Sequence, residues 1–180
     1  MTDSPVCFVT GASSGLGRGL ARRLAREGYA VGLSARRKEE LDALAEEIRG
    51  DGGMAGVYPC DVAERAEVLE AVARCRSELG PVSLLIANAG LSVNTRVEAF
   101  DAGNVERVIR VNLLGAVYAT EAVLDDMLRR KDGHIVAVSS IAGFGGLPMS
   151  AAYSASKAAM TNFFESLRID LRGYGIEVTV

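Results

Sequence analysis

Histidine is nearly absent from this 180-residue chain, and the scarcity removes whole classes of chemistry. The single His134 would have to serve any Ser-His-Asp hydrolase or histidine-based metal site. It opens an apparent strand directly after Asp132-Gly133, away from the strand ends where an α/β sheet presents its ligands, and reads as structural. Cysteine is also sparse: Cys7, Cys60 and Cys75 are odd in number, far apart and without metal-ligand spacing. They read as reduced thiols of a cytoplasmic protein, with Cys7 in the core, none a nucleophile and no metal centre. No Pro-rich, Ser-rich or repetitive stretch marks a linker, so residues 1–180 are expected to form one domain. No apolar run approaches a membrane span. The start Met1-Thr2-Asp3-Ser4-Pro5 lacks the charged and apolar regions of a leader. A net charge of −3, with cations interleaved with acids along the helices, offers no footprint for nucleic acid.

What remains is an alternation of short apolar runs and helical patterns. Strand-like runs fall at Val6–Val9, Ala30–Ser34, Ala55–Pro59, Val82–Ala87, His134–Ser139 and Glu177–Val180. Helical periodicity fills Lys38–Arg49, Ala63–Leu79, Ala102–Arg130 and Ala152–Tyr174. Such alternation implies parallel pairing with right-handed crossovers, hence an α/β doubly wound parallel sheet with helices on both faces. The strand order 3-2-1-4-5-6 would put the loop after the first strand at the topological switch point, where ligands bind.

That loop reads Thr10-Gly11-Ala12-Ser13-Ser14-Gly15-Leu16-Gly17, followed by Leu20, Ala21, Leu24 and Ala25 on one helical face. Glycine lets the turn take positive φ and lets backbone approach a pyrophosphate, while the helix N-terminus supplies free N–H groups. Ser13 and Ser14 add hydroxyl donors. A second pattern lies near the other end, where Tyr153 and Lys157 stand four apart, thirteen residues after Ser140. On a helix, residues four apart share a face. An ammonium beside a phenol favours the phenolate and brings the group toward proton exchange at neutral pH.

Taken together, these residues resemble the short-chain dehydrogenase/reductase family. The resemblance rests on Thr10 to Gly17, on Asn88-Ala89-Gly90 after the fourth strand, on Asn112 in the long middle helix, and on Ser140, Tyr153 and Lys157. It implies an oxidoreductase that moves hydride between a nicotinamide cofactor and a small carbonyl or alcohol. Tyr153 would be the general acid or base, and Lys157 would tune it and hold the nicotinamide ribose. Ser140 would bond the substrate oxygen, with Ser139 its rival by adjacency, and Asn112 would hold a relay water. The resemblance also implies cofactor contacts from Gly11, Ser13, Ser14, Gly15, Leu16 and Gly17, adenine contacts from Asp61-Val62, and ribose and sheet support from Asn88 and Gly90. Asp61 equally suits an N-cap for a helix beginning near Ala63.

The end of the second strand bears on cofactor choice. A dinucleotide site selective for NAD places an acid there to bond the ribose 2′-hydroxyl. This chain has Ser34-Ala35-Arg36-Arg37-Lys38 instead. Arg36 could fork onto a 2′-phosphate with Arg37 or Ser34 assisting, and three cations at a helix N-terminus oppose its dipole unless an anion binds, so NADP(H) is expected over NAD(H). Ser14 departs from the basic residue that many NADP-dependent relatives carry. The chain closes at Val180, where the family continues into a substrate lid and a seventh strand, both expected to be missing. The two long helices suggest a homodimer face. A non-catalytic NADP(H)-binding scaffold or redox sensor is the rival reading. A sugar-nucleotide epimerase, which also uses Tyr-x-x-x-Lys, would need a C-terminal substrate domain for which there is no room. The loops Leu91–Arg96 and Gly143–Met149 are expected to line the substrate pocket.

Overall fold

Apolar runs of four to six residues become the strands of one sheet: β1 Val6–Thr10, β2 Ala30–Ser34, β3 Met54–Val57, β4 Val82–Ala87, β5 Gly133–Ala137 and β6 Ile176–Thr179. The structure, a computed structural model, describes residues 4–180; Met1-Thr2-Asp3, on which part of the leader argument rests, lie outside the described residues. Every pairing is parallel and the order is β3-β2-β1-β4-β5-β6, as the alternation predicts. Every residue of β1 and β2 is buried, the signature of central parallel strands covered on both faces.

Alternate side chains along each strand enter different cores. Phe8, Leu85 and Ile135 join helices α3 (Arg65–Leu79), α5 (Gly115–Arg130) and α6 (Ala151–Asp170) through Cys75, Met127 and Phe164. Val9, Val31 and Leu33 join α1 (Gly15–Arg26) and α2 (Lys38–Gly50) through Ala21, Leu41 and Leu44. Each fully buried large side chain contributes about 1.5–3 kcal/mol relative to exposure, so both layers are held strongly. Among the described residues no helix is long and apolar enough to cross a membrane.

β1, α2, β5 and β6 differ from their predicted bounds by one or two residues at an end, and four further departures are tied to particular residues. The third strand runs from Met54 to Val57, and beyond it the Tyr58 and Cys60 N–H groups still donate to the Leu33 and Ala35 carbonyls at 2.9 and 3.2 Å, while Pro59 between them falls on the unpaired outer edge, where its missing N–H costs no ladder bond. The third helix begins at Arg65, two residues late, because the Asp61 carboxylate accepts the Ala63 N–H at 3.0 Å and holds a turn there. The stretch predicted as one helix over 102–130 is α4 (Ala102–Ile109), a π turn (Arg110–Leu114) and α5. α6 stops at Asp170, before Gly173 and Gly175 take φ of 88° and 72°. His134 pairs with Thr179 at 2.8 Å across the β5–β6 edge, a structural position.

Candidate active site

The ends of β1 and β4 meet at the switch point, and Thr10 joins them. Its hydroxyl accepts the N–H groups of Asn88 (3.0 Å) and Ala89 (3.1 Å) and donates to the Ile86 carbonyl (3.3 Å). The Asn88 amide returns the contact, donating to the Thr10 carbonyl at 3.0 Å and reaching the Gly11 carbonyl at 3.4 Å. Two glycines are required by this approach. Gly11 has φ of 69°, and a Cβ on Gly17 would stand 2.3 Å from the Gly11 carbonyl oxygen and 2.5 Å from Asn88 Nδ2. The following helix opens without help: Ser14 occupies its N-cap but makes no capping bond, and no acid stands in the first turn. The first N–H groups of α1 are thus free of side-chain partners and biased toward an anion.

The two arginines after β2 part company. Arg37 Nη2 donates to Ser13 Oγ at 2.9 Å and to Ser14 Oγ at 3.0 Å, so its guanidinium lies against the glycine loop. Arg36 turns instead toward Asp61, 3.7 Å away at the end of the third strand. Arg37, expected as an assistant, is the cation in contact with the loop, while Arg36, expected to lead, faces an acid; both line the cleft. Ser34 cannot assist, being fully buried with its hydroxyl 3.1 Å from Cys60 Sγ. The dipole conflict at α2 is also milder than the basic run suggests, because Glu39 and Glu40 follow in the first turn.

At the other end of the cleft, α6 carries Tyr153 and Lys157 on one face. Tyr153 is half-buried, whereas Lys157 is 3% exposed, with its ammonium 5.9 Å from the centre of the Tyr153 ring. Lys157 Nζ donates to the Val138 carbonyl at 2.6 Å. Burial pushes the Lys157 pKa down from the ordinary lysine range, since desolvation penalises the charged form.

The two adjacent serines make different contacts. The Ser139 hydroxyl faces α6, 2.7 Å from Thr161 Oγ1 and 3.3 Å from the Lys157 carbonyl. Ser140 caps a 3₁₀ turn (Ile141–Gly143): its oxygen accepts the Ala142 N–H at 3.2 Å, which leaves its own proton free for another acceptor. Ser139 lines the cleft wall and Ser140 stands outside that lining.

Asn112 sits in the π turn and is fully buried. Its Oδ1 accepts the Leu91 N–H (2.7 Å), while Nδ2 donates to the Leu91 carbonyl (2.9 Å) and to Ser156 Oγ (2.9 Å). The amide expected to hold a relay water is therefore spent on protein partners, with one lone pair of Oδ1 left over.

These groups surround a cleft of about 1010 Å³. Gly11, Ser13, Ser14, Leu16, Arg36 and Arg37 form one end, and Tyr153, Lys157, Val138 and Ser139 the other. Asp61, Val62, Asn88 and Gly90 line it as well. Gly15 and Gly17 fall outside the lining, Gly17 packed beneath the loop against Gly11 and Asn88 and Gly15 exposed. Arg107 and Val111, four apart before Asn112, and Leu91 with Ser92 also line it. The signal for Arg107 was available in its spacing from Asn112, but it looks like any exposed helix cation. Cys7, Cys60 and Cys75 are all buried thiols, with burial pushing Cys75 up to about 12 and the other two also upward, which suits none of them to nucleophilic work.

A short chain dehydrogenase family profile matches residues 5–180. An oxidoreductase of Myxococcus xanthus is 46% identical over 172 residues, covering 96% of this chain and 68% of the relative. The crystal structure of an actinorhodin polyketide ketoreductase with NADPH superposes with a TM-score of 0.93 at 37% identity, covering 97% of this chain and 67% of that one. An NAD⁺-bound xylitol dehydrogenase gives a TM-score of 0.91 at 34% identity, covering 96% and 66%. The chain thus spans about two thirds of the length of these relatives.

Proposed function

The chain belongs to the short-chain dehydrogenase family, and on that premise we propose that it is an NADP(H)-dependent oxidoreductase acting on a small carbonyl or alcohol. The observation that carries the proposal is the placement of Tyr153 and buried Lys157 at one end of a single cleft, with the Arg37-braced glycine loop at the other. The residues fit an extended dinucleotide. Free N–H groups at the start of α1 suit a pyrophosphate. The Arg37 guanidinium with the Ser13 and Ser14 hydroxyls suits a 2′-phosphate, and Asp61 with Val62 borders the adenine end. When bound there, the nicotinamide supplies or accepts the hydride.

The chain's own residues handle the proton and the developing charge. Tyr153 donates its phenolic proton to the carbonyl oxygen in reduction and takes one back in oxidation. Lys157 holds its ammonium 5.9 Å from the centre of that ring, where it can reach ribose hydroxyls. The family resemblance assigns the substrate oxygen to Ser140, whose proton is uncommitted within the protein, although it is the adjacent Ser139 that lines the cleft wall. The three cleft cations outside the Tyr153 end, Arg36, Arg37 and Arg107, face a single lining acid, Asp61, and favour a phosphate-rich ligand. In keeping with the reduced thiols, we place the protein in the cytoplasm. We assign α4, α5 and α6 the role of a homodimer face.

The test is a Tyr153→Phe variant measured beside wild type for NADPH binding by fluorescence and for NADPH oxidation across a panel of ketones and aldehydes. Retained binding with turnover lowered at least ~100-fold supports general acid catalysis. Equal turnover in the variant overturns it, and wild-type binding without oxidation of any carbonyl would favour a cofactor-binding scaffold.

A further inference from the structure

Ser156 lies between the two proton-transfer residues, and its hydroxyl is fully buried. Its proton goes to the Tyr153 carbonyl at 2.7 Å, a bond back along its own helix. A hydroxyl has one proton, so toward Asn112 it can only accept, and it does so from Nδ2 at 2.9 Å. That fixes the orientation of the amide: Nδ2 faces Ser156 and the Leu91 carbonyl, and Oδ1 faces the Leu91 N–H. A flipped amide would set two acceptors against each other at the Leu91 carbonyl. The result is a closed chain of buried bonds from the loop after β4, through the π turn, to the turn of α6 that carries Tyr153 and Lys157.

We propose that Ser156 is a positioning residue that fastens Asn112, and through it the cofactor-side loop at Leu91, to the Tyr153–Lys157 turn, so that cleft wall and proton-transfer pair move as one body. The functional part of this inference rests on the dehydrogenase reading; the fastening itself does not. Leu91 and Val111 line the cleft on either side of Asn112, while Tyr153 and Lys157 line it from α6. Without Ser156 these two walls share no buried side-chain hydrogen bond through Asn112. Ser154 provides an internal control. It is also buried on α6, two residues away, but its Oγ has no hydrogen-bond partner among the described residues.

The experiment compares wild type, Ser156→Ala and Ser154→Ala by amide hydrogen exchange and by turnover. With Ser156→Ala, exchange at the Leu91 N–H should rise about tenfold, the effect of one lost buried hydrogen bond, relative to the core amides of Val9 and Leu85. NADPH turnover should fall by a similar factor with less than about twofold change in the KM for NADPH, and the pH at which activity falls should shift as Tyr153 and Lys157 lose register. Ser154→Ala should change none of these. The proposal is overturned if Leu91 exchange accelerates no more than that of Val9 and Leu85, which would mark general destabilisation. It is also overturned if Ser154→Ala produces the same changes, or if the Ser156→Ala protein turns over normally with an unmoved pH profile. If wild type oxidises no NADPH yet Leu91 exchange responds as stated, the dehydrogenase reading fails and the fastening stands.

Discussion

Lys157 Nζ lies 2.6 Å from the Val138 carbonyl oxygen, so the ammonium is drawn to the end of β5 as well as toward the Tyr153 ring. The bond supplies one acceptor for a cation that is almost wholly out of water. Burial dominates and lowers its pKa, so between the folded value and the unfolded one near 10.5 the unfolded chain binds more protons at this site. Stability contributed by Lys157 must then rise with pH through that window. Lys157→Met keeps the length and removes the titration. Urea midpoints measured from pH 7 to 10 should show wild type gaining on the variant as pH rises, a difference that cancels the other titrating groups. A constant difference would mean that the ammonium is not desolvated. Turnover should be lost in the same variant at every pH.

Arg37, not Arg36, braces the glycine loop, which gives a directional prediction for cofactor choice. A charge-assisted bond to a phosphate is worth about 1.5–3 kcal/mol, so Arg37→Ala should weaken NADPH binding roughly 10–100-fold. NADH, which has no 2′-phosphate, should be affected less than about threefold. Arg36→Ala, whose guanidinium already faces Asp61, should cost less than Arg37→Ala. Fluorescence titration of both nucleotides decides it, and equal losses for NADPH and NADH would assign Arg37 to the loop alone.

Much of this was legible in the sequence because its causes are local. Burial on both faces writes β1 and β2 as unbroken apolar runs, and the glycine loop announces itself between strand and helix. The π turn at Asn112 was not legible, because apolar periodicity runs through 102–130 undisturbed and the extra backbone residue changes no residue type. Nor was the division between Arg36 and Arg37, since neighbouring residues in extended backbone point to opposite sides and only the folded loop shows which side holds Ser13 and Ser14. The bond from Ser139 to Thr161, twenty-odd residues away on another element, was equally invisible in the sequence. For the arginines and Ser139, the informative contacts are long-range partners, which residue identity alone does not reveal.

The Gly17 position offers a sharper test of the loop than any side-chain deletion. Its missing Cβ would meet backbone, the Gly11 carbonyl oxygen at 2.3 Å, so no rotamer change can make room. Gly17→Ala should destabilise the protein by about 1–3 kcal/mol and weaken nucleotide binding at least tenfold. Gly19, two residues along the same helix and exposed, has nothing within 4 Å of its absent Cβ. Gly19→Ala should therefore raise stability by about 0.5–1 kcal/mol through helix propensity and leave binding intact. Thermal or urea denaturation with nucleotide titration reads both, and parallel behaviour of the two variants would contradict the steric account.

A gain in stability is expected at the far side of the sheet, where α5 ends. Lys131 caps that helix in the left-handed region, φ 54° and ψ 38°, with its N–H directed to the Leu128 carbonyl at 3.3 Å. The conformation costs an L-residue roughly 1–2 kcal/mol and costs glycine nothing, against about 0.5–1 kcal/mol of extra chain entropy that glycine loses on folding. The backbone there cannot relax to another conformation freely, because a Cβ on Gly175 would stand 2.1 Å from the Lys131 carbonyl oxygen, so the two segments are already in close contact. Lys131→Gly should raise stability by about 0.5 kcal/mol, since its side chain is exposed and forms no ion pair among the described residues. Gly175→Ala should lower it by more, because the added methyl meets backbone and φ at that position is 72°. Urea midpoints of the two variants should move in opposite directions, and a loss in Lys131→Gly would show that the lysine stem contributes packing at the helix end that outweighs its backbone strain.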